Sequence, residues 1–128
     1  MTWGIISMKP KINSTEFGSI TIKNESFDHD VIICLDGQVK KRKKKLSKAV
    51  YGTSHIISRD EAEQVYEKGT KLLIIGAGQY QQVKLSDEAE GFFKKKKCVV
   101  KLFHTPVAIQ KWNDSEEKKK VGLFHITC

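Results

Sequence analysis

The sequence predicts a single α/β domain in which an amino-terminal β-hairpin is followed by alternating helices and strands around a mixed central sheet. Three observations carry this. The second half of the chain alternates three capped helix signals with three apolar strand segments, the pattern of strand-helix-strand units with right-handed crossovers, a parallel core and helices on the sheet faces. The first half holds a short β-branched run, Val31 to Leu35, joined through Asp36-Gly37 to Gln38 to Lys43, which is a hairpin signal and implies antiparallel pairing. At 128 residues the chain has the size of one ordinary domain, able to bury roughly two-thirds of its unfolded surface without a metal or disulfide. No composition break, linker or internal repeat divides it, so residues 12–128 are assigned to one domain and 1–11 to a short amino-terminal segment.

The elements follow in order. Gly18 to Lys23 alternates, placing Ile20 and Ile22 on one face of a strand. The hairpin of Val31–Leu35 and Gln38–Lys43 is expected to extend the sheet and make it mixed. From Lys44 to Ile57 there is no clear period, and Gly52, Thr53, Ser54 and His55 suit an ordered loop, long enough to be functional. Ser58 caps a helix over roughly 58 to 68: Glu61 completes a capping box, Ala62, Val65 and Tyr66 form its apolar stripe, and Gly69 supplies a left-handed stop. Leu72 to Ile75 is the continuous apolar run of a strand covered on both faces, ending in Gly76-Ala77-Gly78. Ser86 caps a second helix, with Asp87 and Glu88 in its first turn, Phe92 and Phe93 inward and lysines at its end, all in line with the helix dipole. Cys98 to Phe103 is the next strand. Thr105-Pro106 is a cap followed by proline at the first helical position, opening a helix with Val107, Ala108, Ile109 and Trp112. Val121 to Thr127 closes the chain as a strand.

Three of these segments in order, the loop Gly52-Thr53-Ser54-His55, the strand L-L-I-I-G-A-G from Leu72 to Gly78, and V-G-L-F-H-I-T-C from Val121 to Cys128, resemble the adipogenesis-associated Mth domain family. The resemblance runs from about Ile12 onward. The family includes archaeal and bacterial proteins of unknown function, an animal adipogenesis-associated protein and a mitochondrial complex I assembly factor. The resemblance implies a three-layer fold with a mixed central sheet, and it implies no reaction, because no enzymatic activity is established for the family. The lysine load of this chain is a departure from the family pattern.

Composition bounds the function. No apolar run of about 18 to 20 residues could span a bilayer, and Met1 to Lys11 lack the features of a secretory signal, so a soluble cytoplasmic protein without membrane contact is expected. Cys34, Cys98 and Cys128 are odd in number, far apart and never C-x-x-C, which argues against a disulfide framework or zinc knuckle; Cys34 and Cys98 read as buried core thiols. The net charge of +8 invites a nucleic-acid partner through the densest cluster, Lys40, Lys41, Arg42, Lys43, Lys44 and Lys45. Against that, Arg42 and Arg59 are the only arginines and no aromatic residue interleaves the cluster, so bidentate phosphate readout and a stacking platform are missing. A solvated strand end and loop is the competing reading.

No catalytic constellation, metal site or cofactor is expected. Gln81 stands where the third glycine of a dinucleotide fingerprint belongs, and there is no G-K-[ST], which excludes a P-loop. A G-x-G at the carboxyl end of a parallel strand can still present N–H groups to an anion, with His55 reaching in from the preceding loop. The candidate ligand residues are therefore Gly52, His55, Gly76, Ala77, Gly78 and Gln79, with a turn and a loop-bonded histidine as the alternative. His29, His104 and His125 show no ligand spacing, and a Cys128 with His125 nucleophile pair lacks an enclosing oxyanion hole.

Three functions remain, in this order: a protein-interaction or assembly module with a protein partner or self-association, whose contact surface would be marked by whichever of Trp3, Tyr80 and Trp112 are exposed; a small-anion-binding protein; and nonspecific nucleic-acid binding through Lys40–Lys45.

Overall fold

The computed structural model of the protein describes residues 9–128. Trp3 lies outside the described residues. Among the described residues, ten strands and four helices follow one another as β1 (Ile12–Glu16), β2 (Ser19–Ile22), β3 (Glu25–Phe27), β4 (Val31–Ile33), β5 (Val39–Lys41), α1 (Lys45–Tyr51), β6 (Ile56–Ile57), α2 (Arg59–Val65), β7 (Leu72–Ala77), β8 (Lys84–Leu85), α3 (Asp87–Lys95), β9 (Val99–Phe103), α4 (Thr105–Asp114) and β10 (Lys120–His125).

The central sheet has five strands in the order β5-β4-β10-β7-β9. Its β10-β7-β9 core is parallel, and the β4–β5 hairpin joins it antiparallel through Leu123 opposite Ile32, so the sheet is mixed as the sequence predicts. Period-two alternation sorts its side chains onto two faces. Leu73, Ile75, Val121 and Leu123 meet Ala62 and Val65 of α2 and Ala89 and Phe93 of α3. Ile33, Ile74 and Phe124 meet Ala108, Ile109 and Trp112 of α4 together with Ile12, Ile20 and Ile22. Helices on one face, the sheet, and a helix with a second small sheet on the other make three layers.

Several expectations are corrected. The alternation at Ile20 and Ile22, which fixes no sheet partner by itself, belongs to a separate antiparallel β1-β2-β3 sheet whose isoleucines cover the α4 face. The loop expected from Lys44 to Ile57 contains α1 and β6. Helix α1 gives no signal because its N-cap is Lys44 without a side-chain bond and its first turn carries no acid; it is held by burial of Ser47 and a left-handed Gly52 at its end. Helix α2 stops at Val65, short of the Gly69 turn. Thr105 does not cap α4: its hydroxyl donates to the His125 carbonyl and accepts from Gly78 N–H, tying α4 to both central strands. Trp112 is buried, its indole N–H donating to the Pro10 carbonyl at 2.9 Å, and so marks no contact surface. Cys34 is only half-buried, whereas Cys98 is buried.

Candidate functional site

The β4–β5 register sets Val31 opposite Lys41, so the next residues outward, Asp30 and Arg42, are neighbours, and Arg42 N–H donates to the Asp30 carbonyl at 2.9 Å. That end of the hairpin adjoins the carboxyl ends of β7 and β10. Arg42 turns inward there. Its Nη1 lies 2.9 Å from Asp30 Oδ2, its Nε 2.7 Å from Glu61 Oε2, and Nη2 donates to the Ser54 carbonyl at 2.7 Å. Glu61, at the start of α2, also accepts from Ser47 Oγ of α1. The Ser58 hydroxyl accepts from Glu61 N–H as an N-cap, but the reciprocal half of the expected capping box is absent, because the Glu61 carboxylate is engaged by Arg42 and Ser47 while Ser58 N–H donates to Ser47. Among the described residues no buried side-chain polar atom lacks a partner, which is what lets these charges sit out of water.

His125 ends β10 in the same cluster. Its Nδ1 lies 2.7 Å from Asp30 Oδ2, Asp30 Oδ1 accepts from Ile126 N–H at 3.0 Å, and His125 Nε2 lies 3.2 Å from Thr127 Oγ1. Burial alone would raise the Asp30 pKa; the His125 hydrogen bond and charge, the Ile126 N–H and Arg42 outweigh it and bring it to about 2. The His55 ring stands edge-on to His125 with centroids 5.4 Å apart. Partial burial, then His125 and Arg42, hold the His55 imidazole below its ordinary value against the pull of Asp30. A cleft of about 170 Å³ opens here between His29, Lys44 and Thr127.

The glycine turn meets this cluster but offers nothing free. Gly76, Ala77 and Gly78 are buried. Gly78 N–H donates to Thr105 Oγ1, Gln79 N–H to the Thr127 carbonyl, and Tyr80 and Gln82 N–H to the Cys128 carbonyl. A Cβ at Gly76 would sit 2.9 Å from Phe124, and one at Gly78 would sit 2.2 Å from the Cys128 backbone. These glycines are therefore demanded by packing, and the N–H groups that would hold an anion or an oxyanion already have partners. Gly52 is the left-handed cap of α1, its N–H donating to the Lys48 carbonyl. Of the six candidates, His55 is the one whose half-buried side chain packs against His125.

The lysine run divides. Lys40, Lys41, Lys43 and Lys45 are exposed and Lys44 half-buried, but Arg42 is the keystone of the buried cluster and does not belong to a surface patch. Asp30, Ser47 and His125 have no local motif and Glu61 shows only as part of a capping box; the single arginine amid lysines is what distinguishes the site in sequence.

A second feature lies at the opposite end of the sheet order. Strand β9 is an edge, and between it and α3 runs a groove of about 760 Å³ with Leu85, Phe93, Cys98, Val100 and Leu102 along it. Val99 beside it is 56 % exposed. Cys98 in its floor has its thiol pushed up to about 11 by burial. Tyr80 is exposed elsewhere, at 6.4 Å from the exposed Phe17 ring. Among the described residues no helix is long and apolar enough to cross a membrane.

Solved structures share this fold. A conserved hypothetical protein from Pyrococcus horikoshii is 28% identical with a TM-score of 0.86, the match covering 92% of this chain and 99% of that one. The protein named MT938 is 24% identical with a TM-score of 0.79, over 94% of this chain and all of its own (100%). A protein from Xanthomonas campestris, at 10% identity and a TM-score of 0.73 over 94% of this chain and 87% of that one, shows the same fold alone. A family profile described as a protein of unknown function, DUF498/DUF598, matches residues 12–126. With that match spanning nearly the whole described chain, and the three-layer fold agreeing with its relatives, the protein belongs to the DUF498/DUF598 family.

Proposed function

We propose that this protein is a non-enzymatic protein-interaction module, acting as an assembly or regulatory factor in the manner suggested by its resemblance to the adipogenesis-associated Mth domain proteins. One observation carries the reading: an apolar groove lies open beside an edge strand, in a molecule whose polar cluster is internally satisfied. Exposed apolar surface next to unpaired backbone is a feature that a free domain normally covers, and one that binding partners use. The polar cluster supports the same reading from the other side. Its histidine, carboxylates and arginine bond one another, and the neighbouring turn has no N–H pair left for a developing negative charge, so the cluster reads as a device that fastens the hairpin to α2 and β10.

The test is site-specific photo-crosslinking in cells expressing the full chain, with the crosslinker in place of Val99 and, as control, in place of the exposed Glu16 on β1 in the opposite layer. The expected result is a discrete cross-linked protein from position 99 that is absent from position 16 and is lost when Leu102→Asp is added. Equal labelling from both positions, or none from 99, would overturn the reading.

A further inference from the structure

Among the described residues, strand β9 has β7 on one side only. Val99 N–H donates to the Lys71 carbonyl at 2.9 Å, and Val99 is in register with Leu72, so residues 99, 101 and 103 direct their backbone groups toward β7. Because the backbone alternates, the N–H and C=O groups of Val100 and Leu102 point away from the sheet. They form a short row of two donors and two acceptors, and the side chains of the same two residues line the groove. An occupant that lays an extended backbone along Val100 and Leu102 thus meets hydrogen-bonding groups and apolar side chains at once.

The rim selects the occupant by charge. Lys84, Lys94 and Lys97 border the groove, Lys101 stands exposed on β9, and the single acid at the rim, Glu90, is already 3.4 Å from Lys94. The whole chain carries a net charge of +8. A second copy brought edge to edge would set lysine against lysine, the arrangement by which natural sheets prevent self-pairing. A segment bearing carboxylates would satisfy the same lysines and be steered toward them.

We propose that the α3–β9 groove binds an extended acidic segment of another protein, which adds as a further strand beside β9. Apolar side chains of that segment enter the groove on Leu85, Phe93 and Leu102, and acidic ones meet Lys94 and Lys97. This rests on the reading of the groove as a docking surface and names its partner.

The probe is a fluorescein-labelled synthetic peptide of about six residues, the length of an ordinary strand, with isoleucine at its second and fourth positions and glutamate at the others, so that its last glutamate shares the isoleucine face and reaches the Lys94 and Lys97 side. Three companions are measured with it: the same peptide with glutamate replaced by lysine, one with alternate amides N-methylated, and the protein variant Lys94→Glu/Lys97→Glu, whose fold is checked by circular dichroism. The expected result is saturable binding of the acidic peptide alone, weakened at least about tenfold in the double variant and by salt. N-methylation should abolish it, and bound peptide should slow amide exchange at Val100 and Leu102. Equal binding of the lysine peptide, indifference to N-methylation, or protection elsewhere overturns the proposal. Concentration-dependent dimerisation through Val99 would assign the edge to a second copy and overturn it too. If position 99 cross-links a partner in cells while the acidic peptide fails, the acidic-strand inference falls and the docking reading stands; if both are silent, both fall.

Discussion

The guanidinium of Arg42 lies against the carboxylate of Glu61, Nε 2.7 Å from Oε2 and Nη2 3.1 Å from Oε1, with both side chains out of solvent. Sequence neighbours on both sides of Arg42 are lysines, yet this residue joins the β4–β5 hairpin to α2. The pair is fully partnered: Arg42 also holds Asp30 and the Ser54 carbonyl, and Glu61 also holds Ser47. Desolvation works against the Arg42 charge, and the Glu61 and Asp30 carboxylates more than restore it, so its pKa is raised.

Arg42→Ala leaves two carboxylates buried with one partner fewer each. The expected cost is about 3–5 kcal/mol. Lys43→Ala, next in sequence but exposed, should change stability by less than about 0.5 kcal/mol. Urea denaturation of the two variants checks the contrast, and similar midpoints would contradict the buried role of Arg42.

Acid should loosen the same cluster. The folded-state pKa of Asp30, about 2, lies below the ordinary 3.8. A depressed carboxylate stabilises the fold above its unfolded value and loses that contribution as pH falls from about 4 through about 2, here about 2 kcal/mol in all. Asp30→Asn should be less stable at neutral pH and show a flatter stability curve across that acid window, measured by thermal unfolding from pH 2 to 7.

Two glycines with positive φ should respond differently to alanine. Gly52 (φ +71) has nothing within 4 Å of an added Cβ, so Gly52→Ala meets only the left-handed backbone cost, about 1 kcal/mol. At Gly78 (φ +100) the Cβ would stand 2.2 Å from the Cys128 backbone and 2.8 Å from the His125 ring. Gly78→Ala should cost more than about 3 kcal/mol, and comparison of the two melting temperatures decides it.

Thiol chemistry should report burial. Burial pushes the Cys98 thiol to about 11, while Cys34 is raised first by burial and then by Glu67. At pH 8 alkylation of Cys98 in the native protein should be far slower than after unfolding, and slower than that of half-buried Cys34, since the thiolate is the reacting form. Residue-resolved mass spectrometry of the alkylated protein measures both rates. Rapid native labelling of Cys98 would contradict its place in the groove floor.

The sequence by itself determined most of the architecture, because the features that set it are local. Ser86 caps α3 by accepting from Ala89 N–H, Asp36-Gly37 closes the β4–β5 hairpin, and the Leu72–Ile75 run is a strand buried on both faces. Each depends on neighbours a few residues away, and period-two or capping patterns expose it. Tertiary structure alone decided what α1 is, since that helix has no side-chain N-cap and is held by Ser47 reaching Glu61 fourteen residues on. It decided which charges are buried: Arg42 differs from the flanking lysines through partners on another helix and across the hairpin. It decided that Asp30 meets His125, 95 residues apart, because β4 and β10 are neighbours in the sheet. And it decided that β9 is an edge, a property of strand order that no local pattern encodes.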